Sequence, residues 1–141
     1  MKLIYTATFA FFLFSSFVLS INSKQTLLIS NLENKTGKLF IGWYSSKETF
    51  AGKNPEFKKE VDVRNLSEIS IPFDDIPDGK YGISIYLDEN NNGKMDLNFL
   101  GIPKEKYGFS NNVFPATRAA NFQETAFEIQ GKSKIIPIRL K

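Results

Sequence analysis

The chain has no cysteine and no histidine among its 141 residues. Without cysteine there are no disulfides, no thiolate nucleophile and no cysteine-bound zinc. Without histidine there is no Ser-His-Asp or Cys-His chemistry and no imidazole metal ligand. Charge of one sign is also scarce: the formal net charge is +3, and the basic residues form no cluster beyond Lys58-Lys59. Nucleic acid is therefore not an expected partner. After residue 23 no long helical periodicity occurs, so packing of short apolar elements must supply the stability that disulfides do not.

The N-terminus carries one charge, Lys2, before Lys24, and Leu3 to Leu19 is almost wholly apolar. That pattern reads as a cleavable signal peptide over 1–23, with small residues Ser20 and Ser23 as cleavage points. A retained membrane anchor is the rival reading, because the run approaches the ~18 residues that begin to look membrane-spanning. No cysteine follows the run to accept lipid. The expected location is periplasmic or secreted, with one domain over 24–141 and no stable membrane span once the leader is removed.

The mature region reads as strands. Thr26–Leu32 and Lys38–Tyr44 flank the turn Asn34-Lys35-Thr36-Gly37 and suggest a hairpin. Phe57–Val63 fits either an edge strand or a helical turn. Ile69 and Ile71 alternate with polar residues, and Asp74-Asp75-Ile76-Pro77-Asp78-Gly79 reads as a turn. In Lys80–Leu87 the residues Tyr81, Ile83, Ile85 and Leu87 share one face, as a half-buried strand requires. Lys134–Leu140 contains Pro137, which cannot donate a ladder hydrogen bond and so favours a sheet edge. About seven short strands predict an all-β, antiparallel β-sandwich.

The best strand runs directly into Asp88-Glu89-Asn90-Asn91-Asn92-Gly93-Lys94-Met95-Asp96. Oxygen side chains at Asp88, Asn90, Asn92 and Asp96, a glycine after the third, and the Lys94 carbonyl match the first nine positions of a calcium loop. The twelfth position is Phe99, so the bidentate glutamate is missing. Further oxygens are expected from Asn98, the acidic turn Asp74-Asp75-Asp78, later carbonyls or water. Two carboxylates predict weak Ca2+ binding, around 10⁻⁴–10⁻³ M, and Mg2+ is disfavoured by its strict octahedral demand. A metal-free polar turn is the competing reading.

Between Leu97 and Phe122 the pattern becomes irregular yet holds Phe99, Tyr107, Phe109 and Phe114. That much aromatic surface is expected to pack over one end of the sandwich beside the ion loop. Long loops also often carry sites. A ligand groove lined by Tyr107, Phe109, Ser110, Asn111 and Asn112 stands beside the plainer reading, in which the rings cap the core.

The blocks Ile76-Pro77-Asp78-Gly79-Lys80-Tyr81, Asp88 to Asp96, Asn98 to Pro103 and Tyr107 to Asn112 together resemble the bacterial domain-of-unknown-function 2141 family. The resemblance implies a single exported β-sandwich similar to transthyretin-like and carboxypeptidase-regulatory domains, and no established reaction. The expected role is a non-enzymatic binding or accessory domain facing a glycan, a peptide or an envelope protein. Two alternatives are a carboxylate-dependent glycan hydrolase pairing Glu105 with an aspartate of the ion loop, and a structural envelope subunit joined through the Lys134–Leu140 edge.

Overall fold

A computed structural model describes residues 22–52 and 54–141. Nearly all of the expected 1–23 leader lies outside the described residues. Asn22 and Ser23 do not: they begin the first strand. Cleavage after Ser20 would leave that strand whole, whereas cleavage after Ser23 would remove its first two residues.

Among the described residues eight strands form two packed sheets, with one short helix. They are β1 (Asn22–Ser30), β2 (Thr36–Tyr44), β3 (Phe57–Arg64), β4 (Glu68–Pro77), β5 (Gly79–Asp88), β6 (Tyr107–Phe109), β7 (Phe127–Ile129) and β8 (Lys134–Arg139). Helix α1 spans Phe122–Thr125. One sheet has the order β4-β1-β8; the other has β3-β2-β5-β6, with β7 also on β5. Strand alternation places Leu27 and Ile29, Leu39, Ile41 and Trp43, Ile71 and Phe73, and Ile83, Ile85 and Leu87 in one buried cluster between the sheets. Tyr81, Ile83, Ile85 and Leu87 are all buried, as their shared face required.

The topology departs from the sequence reading in four places. First, β1 and β2 do not form a hairpin; β1 pairs with β4 and β8, while β2 pairs with β3 and β5. The connection between them crosses from one sheet to the other, a choice that local turn residues do not encode. Second, the sheet is not wholly antiparallel, because β1 and β8 run parallel over Gln25–Ser30 and Lys134–Arg139. Third, Asp74 to Pro77 is strand rather than turn. Asp75 takes φ +58° and the β1 register slips between Ser23 and Gln25, so the chain bulges and changes sheets only at Asp78. Fourth, the stretch expected to be irregular contains β6 and a 3₁₀ turn at Ser110–Asn112, and runs into α1 at Phe122. The ambiguous Phe57–Val63 is edge strand β3, and β8 lies at the edge of its sheet.

Both β6 and β7 share one side of β5, and Ser110 fills the gap between them. Its Oγ accepts the Ile83 N–H at 2.8 Å and donates to the Thr125 carbonyl at 2.6 Å. The last residues stitch the two sheets together: Lys141 N–H donates to the Tyr107 carbonyl at 2.8 Å, and Leu140 N–H to that of Ser30 at 3.1 Å.

Candidate functional site

Strand β5 delivers Asp88 into the loop at 1% exposure. Its Oδ1 accepts the Asn92 N–H at 3.1 Å and its Oδ2 the Gly93 N–H at 2.6 Å, which bends the chain back over the carboxylate. Asn91 at φ +58° and Gly93 at φ +76° supply the left-handed residues that this bend needs. Asn90 Oδ1 accepts from Asn92 N–H, and Asn92 Oδ1 from Lys94 N–H at 2.8 Å. On the far side, Asp96 accepts from Asn90 Nδ2 at 2.6 Å and from Asn92 Nδ2 at 3.0 Å. The loop therefore brings Asp88, Asn90, Asn92 and Asp96 together, and Lys94 closes it through its N–H.

Here the two amide nitrogens stand where Asp96 would face a cation. The donor set consists of two carboxylates and two amides. Among the described residues no group of three or more histidine, cysteine, aspartate or glutamate side chains could hold a metal. The aspartate and asparagine oxygens retain lone pairs beyond those they give to N–H groups, and hard oxygens are the donors that Ca2+ takes.

Of the extra oxygens expected from elsewhere, those of Asn98, Asp74 and Asp78 are engaged in other contacts. Asn98 Oδ1 is committed to the N–H groups of Leu100 and Ile102, at 2.9 and 3.0 Å. Asp74 pairs with Lys24, and Asp78 accepts from Gly131 N–H, at the end of β5 opposite the loop. Glu105, by contrast, is central to the loop. Buried at 8% exposure, it accepts the Glu89 N–H through Oε1 and the Asp96 N–H through Oε2, each at 2.9 Å. It pins the two ends of the loop, a structural duty that a single glutamate in an irregular stretch does not advertise. Glu89 in turn pairs with Lys35 at 2.8 Å.

The second set of sequence-derived residues lies along β6 and the turn after it. Ser110 is fully buried. Asn111 Nδ2 donates to the carbonyls of Glu124 and Ala126. Asn112 holds the free edge of β8, donating to the Pro137 carbonyl at 3.2 Å and accepting the Arg139 N–H at 2.7 Å. Ser110, Asn112 and the Asn111 amide nitrogen are thus engaged within the fold, and part of the β8 edge is already covered. Phe109 is buried, with Tyr107 against it at 5.8 Å between ring centroids.

Register shows a concavity that sequence reading missed. On the outer face of the larger sheet one cross-strand row runs Glu60, Phe40, Tyr86, Tyr107, and the next runs Lys58, Gly42, Ser84, Phe109. Phe40 and Tyr86 stack with centroids 4.9 Å apart and planes 6° from parallel. Gly42 and Ser84 form a low floor, because the Tyr44 ring lies where a Cβ on Gly42 would be. The resulting open groove of about 490 Å³ has Phe40 and Tyr86 on one side, Tyr44 on the other and Lys58 and Glu60 at its rim. Gly93 of the ion loop closes one end. Burial pushes the Tyr44 and Tyr86 phenols up, and for Tyr86 the charges of Asp88 and Glu105 add to it. Both therefore remain O–H donors at neutral pH. The signal was present as alternating bulky and small residues at Phe40, Gly42 and Tyr44, but it needed the neighbouring strands to acquire meaning.

The profile of a family described as an uncharacterized protein conserved in bacteria, DUF2141, matches residues 27–137. No curated protein and no solved structure matches the chain. The matched span begins within β1 and ends within β8, taking in both sheets, the ion loop and the groove, and on that coverage the chain belongs to the DUF2141 family.

Proposed function

We propose that this protein is an exported, non-enzymatic binding domain with a transthyretin-like sandwich, whose Asp88–Asp96 loop takes Ca2+ and whose outer-face groove holds a sugar ring of a glycan. The contiguity of loop and groove carries the reading: Gly93 belongs to both, and Tyr86, two residues before Asp88, forms the groove wall. An ordered loop therefore sets the shape of one end of the groove.

The groove's volume falls within the roughly 300–1,000 Å³ typical of small-ligand sites. An aromatic wall suits the C–H face of a pyranose, while Lys58, Glu60 and Ser84 offer polar partners for its hydroxyls. Glycoside cleavage calls for a pair of carboxylates, whereas among the described residues Glu60 is the one acid lining the groove, and the groove's phenols stay protonated. Glu105, the carboxylate considered for glycan hydrolysis, has both oxygens taken by loop N–H groups. Export is supported by the apolar N-terminal run.

The test is thermal unfolding of the protein in EDTA and across a Ca2+ titration, with Asp88→Ala alongside, followed by titration of an oligosaccharide panel monitored at Tyr86. The reading expects a Ca2+-dependent rise in midpoint that the variant loses, and glycan affinity that falls in EDTA and in Tyr86→Ala. No Ca2+ shift would reduce the loop to a turn, and no glycan response at Tyr86 would remove the groove assignment.

A further inference from the structure

Just beyond the ion loop the chain makes a rigid projection with an apolar tip. Asn98 N–H donates to the Ile102 carbonyl and Gly101 N–H to the Asn98 carbonyl, both at 2.9 Å, while Leu97 and Pro103 bridge at the base. Asn98 Oδ1 takes two further N–H groups from inside, and Gly101 at φ +76° provides the left-handed residue that closes the turn. Phe99 and Leu100 consequently occupy the two corners. Phe99 is 94% exposed and Leu100 67%, with Leu97 and Ile102 more than half exposed behind them.

Turn corners ordinarily carry Gly, Pro, Asn, Asp or Ser, whose backbone preferences and polarity suit exposed positions. A phenylalanine and a leucine there gain nothing from the fold, which is the mark of a surface that meets something else. The sequence reading expected Phe99 to pack with the other rings; it stands apart from them because Asn98 fixes the turn outward.

Charge indicates what the tip meets. The exposed charges flanking it in the chain are Lys94 and Lys104, with Lys106 half-buried below. The nearby acids keep their charge but are less accessible: Asp96 is half-buried, Glu105 is buried with both oxygens on backbone N–H groups, and Glu89 pairs with Lys35. The exposed surface is thus a convex apolar tip flanked by lysines. A bilayer interface bearing anionic headgroups accepts both parts together, the side chains entering the acyl boundary while the lysines meet phosphate. A convex tip would instead need a preformed apolar cavity on any protein partner.

We infer that the Leu97–Ile102 turn docks this protein onto anionic phospholipid membranes, with Phe99 and Leu100 inserting and Lys94 and Lys104 contacting headgroups. The tip's hydrogen bonds do not involve the ion-loop side chains other than through the shared backbone, so docking does not require that the groove bind glycan.

Residues 3–19 are themselves apolar, so bulk vesicle binding by the full chain is uninformative. A local reporter avoids this. Phe99→Trp and, at the opposite end of the sandwich, Ile135→Trp are each placed in the full chain and mixed with vesicles containing brominated phosphatidylcholine, with and without phosphatidylglycerol. The native Trp43 is fully buried and gives both variants the same background. The inference expects the emission of the Phe99→Trp variant to shift to the blue and lose most of its added intensity to bromine, more strongly with phosphatidylglycerol. The Ile135→Trp variant should change little. Adding Lys94→Gln and Lys104→Gln to the Phe99→Trp background should abolish the preference for anionic vesicles. Equal quenching in the two reporter variants, or unchanged emission from Phe99→Trp on both vesicle types, would overturn the inference; the latter result would leave a protein cavity as the tip's partner.

Discussion

Glu105 Oε2 accepts the Asp96 N–H at 2.9 Å while its other oxygen holds Glu89 N–H, so one buried carboxylate ties the last residue of the ion loop to its second. A glutamate nine residues beyond Asp96 thereby fixes the loop's two ends without occupying any ligand position of the calcium-loop pattern.

Replacing it isolates that duty. In Glu105→Gln only one oxygen remains, and the amide nitrogen faces a backbone N–H that it cannot satisfy. A loss of about 1–3 kcal/mol in unfolding free energy is expected, the cost of leaving a buried partner unmet. Urea denaturation measures it. If the loop takes Ca2+ as proposed, its affinity falls as well, because Asp96 loses its support. Wild-type stability in the variant would mean that water replaces the contact at no cost.

Ser110 tests whether the Tyr107–Asn112 segment is scaffold or ligand surface. Ser110→Ala removes the acceptor for Ile83 N–H and the donor to Thr125 in the fully buried gap between β6 and β7. The variant should lose about 1–3 kcal/mol of stability, since a buried N–H is left without a partner. Amide exchange should quicken at Ile83 and Thr125 first. Unchanged stability would show that the scaffold satisfies Ile83 N–H without Ser110.

How far the sequence carries is visible in these same residues. Period-two alternation located β5 and part of β4, because burial against a second sheet imposes that period locally, while short apolar runs between turn residues located β1, β2 and β8. The gathering of Asp88, Asn90, Asn92 and Asp96 was legible for the same reason: Asx side chains act on N–H groups only two to five residues away. What sequence did not carry is everything set by distant pairing. The parallel match of β1 with β8, Glu105 reaching Glu89, Ser110 reaching Ile83, and the groove between Phe40 and Tyr44 each join segments whose register only the sheets define. The misplacement of Phe99 has another origin: apolar residues are assumed to seek the interior, and the Asn98 turn overrides that tendency.

Helix α1 gives a pH-dependent prediction whose sign is fixed by geometry. Asn121 and Glu124 form a reciprocal cap, and Arg118 grips the Glu124 carboxylate with two nitrogens at 2.8 Å each. The Arg118 hydrogen bond first, and the Asn121 N–H second, lower the Glu124 carboxyl from 4.5 to about 2. Since the folded state binds this proton less readily than the unfolded chain, its contribution is complete above roughly pH 4.5 and disappears as pH falls through about 2. The pair lies at the surface, so salt weakens it and its share of global stability is small. Carbon-detected NMR titration of the Glu124 carboxyl should show a midpoint well below those of the unpaired glutamates. In Arg118→Ala the midpoint should climb back toward 4.5 but stop short of it, because Asn121 N–H still donates to the same carboxylate. An ordinary midpoint in the unaltered protein would show that Arg118 swings free in solution, and that α1 is capped by Asn121 alone.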